Sequence, residues 1–175
     1  GVKKLYGISY VAIPDRIVAG TYMIAAAMCG GKIKVKNVVS GHNKSLIDKL
    51  VNLGCQIEQE SDNIYLTSSG VLAGSQNIKT DVYPNFATDL QAPYMSMLCM
   101  AKGQHEITET LFEDRFKHVP ELVKMGADIK ICGNRATIIG RPNCLSGAIV
   151  ESKDLRGGAA LVLAGLAANG ITKII

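Results

Sequence analysis

Apolar positions along the chain follow two alternating spacings, one typical of helices and one typical of strands. After Asp15, small and apolar residues recur at helical spacing up to a closing glycine, Gly31, and residues 32–36 then alternate lysine with aliphatic side chains. The first pattern predicts a helix with one buried face, and the second predicts a half-buried strand. The same succession begins again at Asp89 and at Asp154. The pattern therefore predicts repeated copies of one unit.

A second, shorter helix is predicted in the first two copies, over residues 46–53 and 119–125. Each of these helices ends at a glycine, Gly54 or Gly126, which takes the left-handed conformation without a Cβ clash. A hairpin is predicted after each helix. The paired segments are 55–58 with 63–67, and 127–131 with 136–139.

The repeating unit is thus strand, helix, strand, helix, strand, strand. We expect one domain over residues 1–175, with units at roughly 8–70, 78–140 and 146–175. The third unit stops before its second helix, and an array cut within a unit leaves an apolar face uncovered. The chain also starts at Gly1 instead of Met, so we expect it to be a fragment of a longer polypeptide.

The composition is that of a globular domain with one core. Of the 175 residues, 47% are hydrophobic and 19% are charged, and the net charge is +4. The basic residues are spread along the chain, so the charge gives only weak support for a nucleic acid or another anionic partner. Lys32, Lys34 and Lys36 alternate along one predicted strand, and we expect them to be solvated.

The five cysteines, at positions 29, 55, 99, 132 and 144, include no C-x-x-C pair. They indicate neither a disulfide framework nor a zinc site. All fall in helix or strand patterns, so we expect buried thiols in a reducing compartment. The most apolar stretches, 17–28 and 159–168, are too short to cross a bilayer, and no segment resembles a signal peptide. These features predict a cytoplasmic chain.

Three aspartates, Asp15, Asp89 and Asp154, begin the predicted long helices. The simplest interpretation is that each caps its helix, since an aspartate side chain accepts a backbone N–H there. Asp89 could instead act as a general acid or base. Arg16 and Arg156 lie in first turns, where the helix dipole disfavours a cation. They either pair with the neighbouring capping aspartate or bind an anionic ligand such as phosphate or carboxylate.

Residues 109–116, Glu-Thr-Leu-Phe-Glu-Asp-Arg-Phe, place three carboxylates beside one arginine. One interpretation is a solvated strand end in which Arg115 pairs with Glu113 or Asp114. The other is a loop that lines a cleft. Phe112 and Phe116 are of a residue type found more often in a core than on a surface.

Six motifs occur in a fixed order, at residues 14–21 (PDRIVAGT), 86–92 (FATDLQA), 107–116 (ITETLFEDRF), 118–122 (HVPEL), 125–127 (MGA) and 154–156 with 161–165 (DLR and LVLAG). In sequence and spacing they resemble the UDP-N-acetylglucosamine 1-carboxyvinyltransferase family of enolpyruvyl transferases. The resemblance covers essentially the whole chain. The sister enzymes that make 5-enolpyruvylshikimate 3-phosphate share the repeat and the Thr-Asp pair, but are expected to differ around the FEDRF and HVPEL motifs.

The resemblance implies an α/β fold of a particular kind, an inside-out α/β barrel (α-β prism) of three βαβαββ units with helices inside and sheets outside. Two such domains close over the substrates. The family transfers the enolpyruvyl group of phosphoenolpyruvate to the 3-hydroxyl of UDP-N-acetylglucosamine, the first committed step of bacterial peptidoglycan synthesis, without a metal or organic cofactor. The family's reactive cysteine and its Lys-Asn contact with phosphoenolpyruvate belong to the other, N-terminal domain. We therefore expect this chain to be the C-terminal domain and to be inactive alone.

The resemblance also implies roles for individual residues. Asp89 matches the family's acid/base carboxylate, which contacts the sugar hydroxyl, and Leu111 matches a main-chain contact with the substrate. Thr88 and Phe112 match residues lining the same pocket. Four polar residues match positions near the interdomain cleft, where the basic ones would face phosphate or carboxylate groups: Arg16, Arg115, Asp154 and Arg156.

Three other functions stay open at this point: a 5-enolpyruvylshikimate-3-phosphate synthase-like domain, a non-catalytic scaffold that binds a nucleotide sugar, and an RNA-end-processing protein built on the same repeat. The presence of Asp89, Arg115 and Arg156 together disfavours a scaffold, which needs no such arginines. The scattered lysines disfavour RNA binding. The expected partners are therefore phosphoenolpyruvate, UDP-N-acetylglucosamine and the missing N-terminal domain, with no nucleic acid and no membrane.

Overall fold

Three helices rich in small and apolar residues form the centre of the computed structural model, which describes residues 1–175. They are α1 (Arg16–Cys29), α3 (Gln91–Met100) and α5 (Leu155–Ala167), and each contacts the other two. All ten residues of α3 are buried. A helix that is apolar on all sides is stable only when other elements surround it. The core of the molecule is therefore built around α3.

Nine strands form three sheets, and each sheet contacts one of these helices. The first sheet has the order β1-β3-β2 and packs on α1, and the second has the order β4-β5-β7-β6 and packs on α3. The third sheet, β8-β9, packs on α5. The strands are β1 (Gly31–Lys36), β2 (Gln56–Glu60), β3 (Asn63–Ser68), β4 (Asn77–Lys79), β5 (Gly103–Thr108), β6 (Ile129–Cys132), β7 (Arg135–Gly140), β8 (Ile149–Val150) and β9 (Lys173–Ile174). The chain thus has the mixed α/β fold that the sequence predicts.

Two shorter helices connect strands of the first two sheets. They are α2 (Lys44–Asn52), between β1 and β2, and α4 (Val119–Lys124), between β5 and β6. Both are followed by glycines with positive φ, 104° at Gly54 and 102° at Gly126, which confirms the predicted helix ends. The predicted hairpins are also confirmed, since β2 pairs with β3 and β6 with β7 in antiparallel registers. None of the five helices has the length and apolar character needed to cross a membrane.

The strand predicted at the start of the first unit is absent from the structure. That unit, at residues 8–70, should begin with a strand, but no helix or strand precedes α1. In the second unit the corresponding strand, β4, pairs in parallel with β5. Residues 1–13 make no such ladder and are exposed, because no other part of the chain packs on them.

The cysteines differ from the prediction of five buried thiols. Cys55 and Cys99 are buried, and burial raises the pKa of the Cys99 thiol well above its usual range. Cys29 and Cys132 are exposed, because each is the last residue of its element, where packing on the core ends. Cys144 is half-buried in a loop, outside any helix or strand. All five are free thiols.

Gly140, at the end of β7, marks a very close approach between the second sheet and α3. A Cβ atom there would overlap the carbonyl oxygens of Ala101 and Leu98, which belong to the backbone and cannot rotate away. We predict that Gly140→Ala lowers the free energy of unfolding by about 3 kcal/mol, measured by urea denaturation. Gly41→Ala, where nothing lies within 4 Å of the added carbon, should change it little. Equal stability of the two variants would contradict this packing.

Candidate active site

Two of the three helix-initiating aspartates cap their helices as predicted. The Asp15 carboxylate accepts the backbone N–H of Ile17 at 2.7 Å, at the start of α1. The Asp154 carboxylate accepts the N–H of Gly157 at 2.8 Å, at the start of α5. Capping therefore accounts for the position of both residues.

Asp89 does not cap α3, so the capping prediction is wrong there. It lies in a 3₁₀ turn, Thr88–Leu90, that leads into the helix, and its carboxylate is directed at two arginines. Arg115 donates from Nη2 to Oδ1 at 2.7 Å, and Arg156 donates from Nη2 to Oδ2 at 3.2 Å. These three residues are called the Asp89 ion cluster below. Within these three side chains, two guanidinium groups share one carboxylate.

The ion cluster is open to solvent on one side. The Asp89 side chain is 40% exposed, and those of Arg115 and Arg156 are 24% and 27% exposed. The cluster also explains the arginine in the first turn of α5, which pairs with Asp89 and not with its neighbour Asp154. Partly exposed guanidinium groups can donate hydrogen bonds to an anionic ligand such as phosphate or carboxylate.

The predicted pairing of Arg115 with Glu113 or Asp114 is wrong. Asp114 pairs with Lys117 at 3.2 Å, and its own backbone makes a tight turn with a φ of 51°. Arg115 contacts Asp89, and its guanidinium carbon lies 4.9 Å from the ring centroid of Phe112. The arginine is therefore held between a carboxylate and an aromatic face.

The segment around Arg115 lines a cleft, as the second interpretation of the sequence predicts. The cleft has a volume of about 690 Å³, and residues 109–117 form most of its wall. Leu111 and Phe112 are exposed at this wall, whereas Phe116 is buried in the core. The Phe112 ring is thus exposed at the cleft, and the Phe116 ring packs in the core.

Glu109 joins two of the segments that carry predicted site residues, a role that the sequence analysis did not assign. One carboxylate oxygen, Oε2, accepts the Thr88 hydroxyl at 2.8 Å. The other, Oε1, accepts the backbone N–H groups of Leu111 at 3.0 Å and Phe112 at 3.3 Å. The turn that carries Asp89 is thereby tied to the wall of the cleft.

The structure brings together six of the eight predicted site residues in this way: Thr88, Asp89, Leu111, Phe112, Arg115 and Arg156. Asp154 supports the group from the start of α5. Arg16 lies outside it, with its guanidinium carbon 5.3 Å from the ring centroid of Tyr83. Arg16 also does not pair with its neighbour Asp15, whose carboxylate caps α1. Nowhere in the chain do three or more His, Cys, Asp or Glu side chains come together as metal ligands would.

His118 is a second residue that the sequence analysis missed. It is 3% exposed, and neither ring nitrogen has a hydrogen-bond partner. Burial lowers the pKa of His118 to about 4, with a smaller opposing effect from Asp154. A Cβ on Gly157 would lie 3.1 Å from the Cβ of His118, so the histidine packs against the first turn of α5.

Solved structures that share this fold include two enolpyruvyl transferases. The enolpyruvyl transferase NikO from Streptomyces tendae superimposes with a TM-score of 0.80 at 23% identity, over 93% of this chain and 38% of that one. EPSP synthase from Acinetobacter baumannii superimposes with a TM-score of 0.67 at 18% identity, over 94% of this chain and 39% of that one. The fold is therefore that of an enolpyruvyl transferase domain.

The chain belongs to the EPSP synthase (3-phosphoshikimate 1-carboxyvinyltransferase) family, whose model matches residues 1–175. Its relatives include the UDP-N-acetylglucosamine 1-carboxyvinyltransferase of Clostridium botulinum, 49% identical over 100% of this chain and 42% of that protein. Another is UDP-N-acetylglucosamine 1-carboxyvinyltransferase 1 of Caldanaerobacter subterraneus, 50% identical over 99% of this chain and 41% of that protein. The resemblance inferred from six motifs is thus confirmed, and the chain spans about two fifths of these relatives' length.

The buried His118 predicts a specific pH dependence of stability. Its pKa is about 4 in the folded chain against 6.5 when solvated, so between these values only the unfolded chain binds the proton. The free energy of unfolding should therefore fall as the pH drops from 6.5 to 4, by about 3 kcal/mol from this residue, and not change above pH 7 on its account.

His118→Phe should remove this part of the pH dependence, measured by urea denaturation at pH 7 and pH 4.5. His42→Phe, at a half-buried site away from the cleft, serves as the control and should keep the wild-type difference between the two pH values. If His118→Phe also keeps that difference, the buried neutral imidazole is not its source.

Proposed function

We propose that the chain is the C-terminal domain of a UDP-N-acetylglucosamine 1-carboxyvinyltransferase. The complete enzyme would transfer the enolpyruvyl group of phosphoenolpyruvate to the 3-hydroxyl of UDP-N-acetylglucosamine and release phosphate, in the bacterial cytoplasm, as the first committed step of peptidoglycan synthesis. The Asp89 ion cluster carries the proposal, because it joins a carboxylate to two arginines, one of which, Arg115, lines a cleft. Relatives with that name that are 49% and 50% identical supply the substrate class.

The proposed domain is an inside-out α/β barrel of three repeat units, at roughly residues 8–70, 78–140 and 146–175. The recurrence of one strand order supports it, since β1-β3-β2 in the first sheet matches β5-β7-β6 in the second. The complete burial of α3 supports helices on the inside. The rest of a longer polypeptide would complete the third unit and supply the N-terminal domain. We expect no activity from the 175 residues alone.

In this reaction Asp89 would serve as the base. Its carboxylate accepts the proton of the sugar 3-hydroxyl while that oxygen bonds to C2 of phosphoenolpyruvate and a proton adds to C3. Loss of a proton from C3 then re-forms the double bond as the bond between C2 and the phosphate oxygen breaks. Thr88, Leu111 and Phe112 would line the site of the nucleotide sugar beside it. Arg115 and Arg156 would stabilise the negative charge of the phosphate or carboxylate groups.

In this proposal, the contacts within the ion cluster also determine when the Asp89 carboxylate is free to act as the base. Without substrate, each Asp89 oxygen accepts an N–H from one arginine. A phosphate or carboxylate group of the substrate competes for the same guanidinium donors, which bind such anions well. When the arginines turn to the substrate anion, the Asp89 oxygens are free for the sugar hydroxyl. Anion binding would thereby be coupled to the availability of the base.

Arg16 and Asp154 have more distant roles in this proposal. Asp154 would act through α5, because capping its first turn positions Arg156 two residues later. Arg16 stays a predicted cleft residue, placed by the resemblance and not by any contact with the ion cluster. Its guanidinium is held at the ring of Tyr83.

The sharpest test of Asp89 is Asp89→Asn in the complete transferase. The amide keeps the shape of the side chain but cannot accept the hydroxyl proton, so kcat for phosphate release should fall by about 100-fold or more. The assay follows phosphate released from phosphoenolpyruvate in the presence of UDP-N-acetylglucosamine.

Asp15→Asn is the matched control for this test, since Asn is as good a helix cap as Asp and should leave kcat unchanged. An Asp89→Asn enzyme with near wild-type kcat would rule out the proposed base. If the unaltered transferase released no phosphate from this substrate pair, the proposed reaction itself would be wrong.

A further inference from the structure

We propose that Glu109 is a positioning residue that sets the affinity for the nucleotide sugar, an inference that rests on the proposed function. It would act by holding the Leu111–Phe112 wall of the cleft in register with the turn that carries Asp89. Glu109 lies at the cleft wall but is only 2% exposed, and both of its carboxylate oxygens are already bound by donors of the protein. Its effect would therefore pass through the groups it binds.

Both carboxylate oxygens of Glu109 accept hydrogen bonds from the protein. Four donors converge on the two oxygens: the hydroxyls of Thr80 and Thr88 and the backbone N–H groups of Leu111 and Phe112. Two of these donors belong to the cleft wall and one to the turn before α3. A single carboxylate thus links three separate parts of the chain.

The main chain of Glu109 is fixed as firmly as its side chain. Its N–H donates to the carbonyl oxygen of Asn134 at 2.9 Å, and its own carbonyl accepts the Asn134 side-chain amide at 2.8 Å. Asn134 lies in the turn between β6 and β7, within the second sheet. The backbone that carries the Glu109 carboxylate is therefore fixed to the second sheet.

A purely structural role explains this residue poorly. Ion pairs usually compensate a buried carboxylate, because its desolvation is costly. The other buried carboxylate, Glu121, has such partners, Lys124 at 2.7 Å and Lys153 at 3.9 Å. The Glu109 carboxylate has none and depends on neutral donors alone. A buried glutamate at position 109 is explained if its carboxylate serves to hold those donors in fixed positions.

Thr80 supports Glu109 from the side away from the cleft. Its hydroxyl donates to Oε1 at 2.8 Å and accepts the backbone N–H of Thr110 at 3.0 Å. Thr80 is fully buried, so it cannot touch a substrate. Any effect of Thr80 on substrate affinity must therefore be transmitted through Glu109 or its neighbouring backbone.

The experiment is steady-state kinetics of the complete transferase with Glu109→Gln. Glutamine keeps the shape but replaces the charge-assisted hydrogen bonds with weaker neutral ones. We expect KM for UDP-N-acetylglucosamine to rise about three- to tenfold, while KM for phosphoenolpyruvate stays within about twofold. Glu121→Gln, the same change at the other buried carboxylate, should leave both KM values unchanged even if it lowers the melting temperature.

Thr80→Val is the second variant, and it tests the positioning role if Glu109→Gln does not fold. It should raise KM for the nucleotide sugar in the same direction by about two- to threefold, without touching the cleft. An active wild-type transferase with unchanged KM for the nucleotide sugar in the folded variants would overturn the positioning role. A wild-type transferase inactive on both substrates would instead count against the proposed function.

Discussion

The organisation of the cleft depends on one electrostatic constraint, two guanidinium groups that share the carboxylate of Asp89. Arg115 lies 26 positions from Asp89 in sequence and Arg156 lies 67 positions away. The contacts therefore join the turn before α3, the segment after β5 and the first turn of α5. The first two elements belong to the second predicted repeat unit and the last belongs to the third, so the ion cluster joins these two units.

Stability alone does not explain this arrangement. Partly exposed ion pairs contribute at most about 1 kcal/mol each, and a second cation on one carboxylate adds repulsion between the arginines. The buried core around α3 is the main source of stability, because it removes a whole apolar helix from water. Under the proposed function, the ion cluster is a site for an anion. Glu109 and His118 lie beside this site, since Glu109 binds the residue before Asp89 and His118 packs against the residue after Arg156.

Much of the fold could be predicted from the sequence, because helix spacing, terminal glycines and hairpin turns are local signals. The caps at Asp15 and Asp154 are local in the same sense. For Asp89 the local pattern also allowed a cap, and its two arginine partners could not be predicted because they are distant in sequence. Glu109 could have been recognised: its side chain follows His105 and Ile107 on the alternation of β5, and both of those are buried. Its three-dimensional partners, however, come from separate segments that only the fold brings together.

The central claim is that the substrate anion and the Asp89 carboxylate compete for the same two arginines. Calorimetric titration of inorganic phosphate into the complete transferase and its Asp89→Asn variant tests this claim most directly. Competition predicts that the variant binds phosphate about threefold tighter or more, because a neutral amide no longer occupies the guanidinium groups as a carboxylate does. Equal or weaker phosphate binding by the variant would contradict the account.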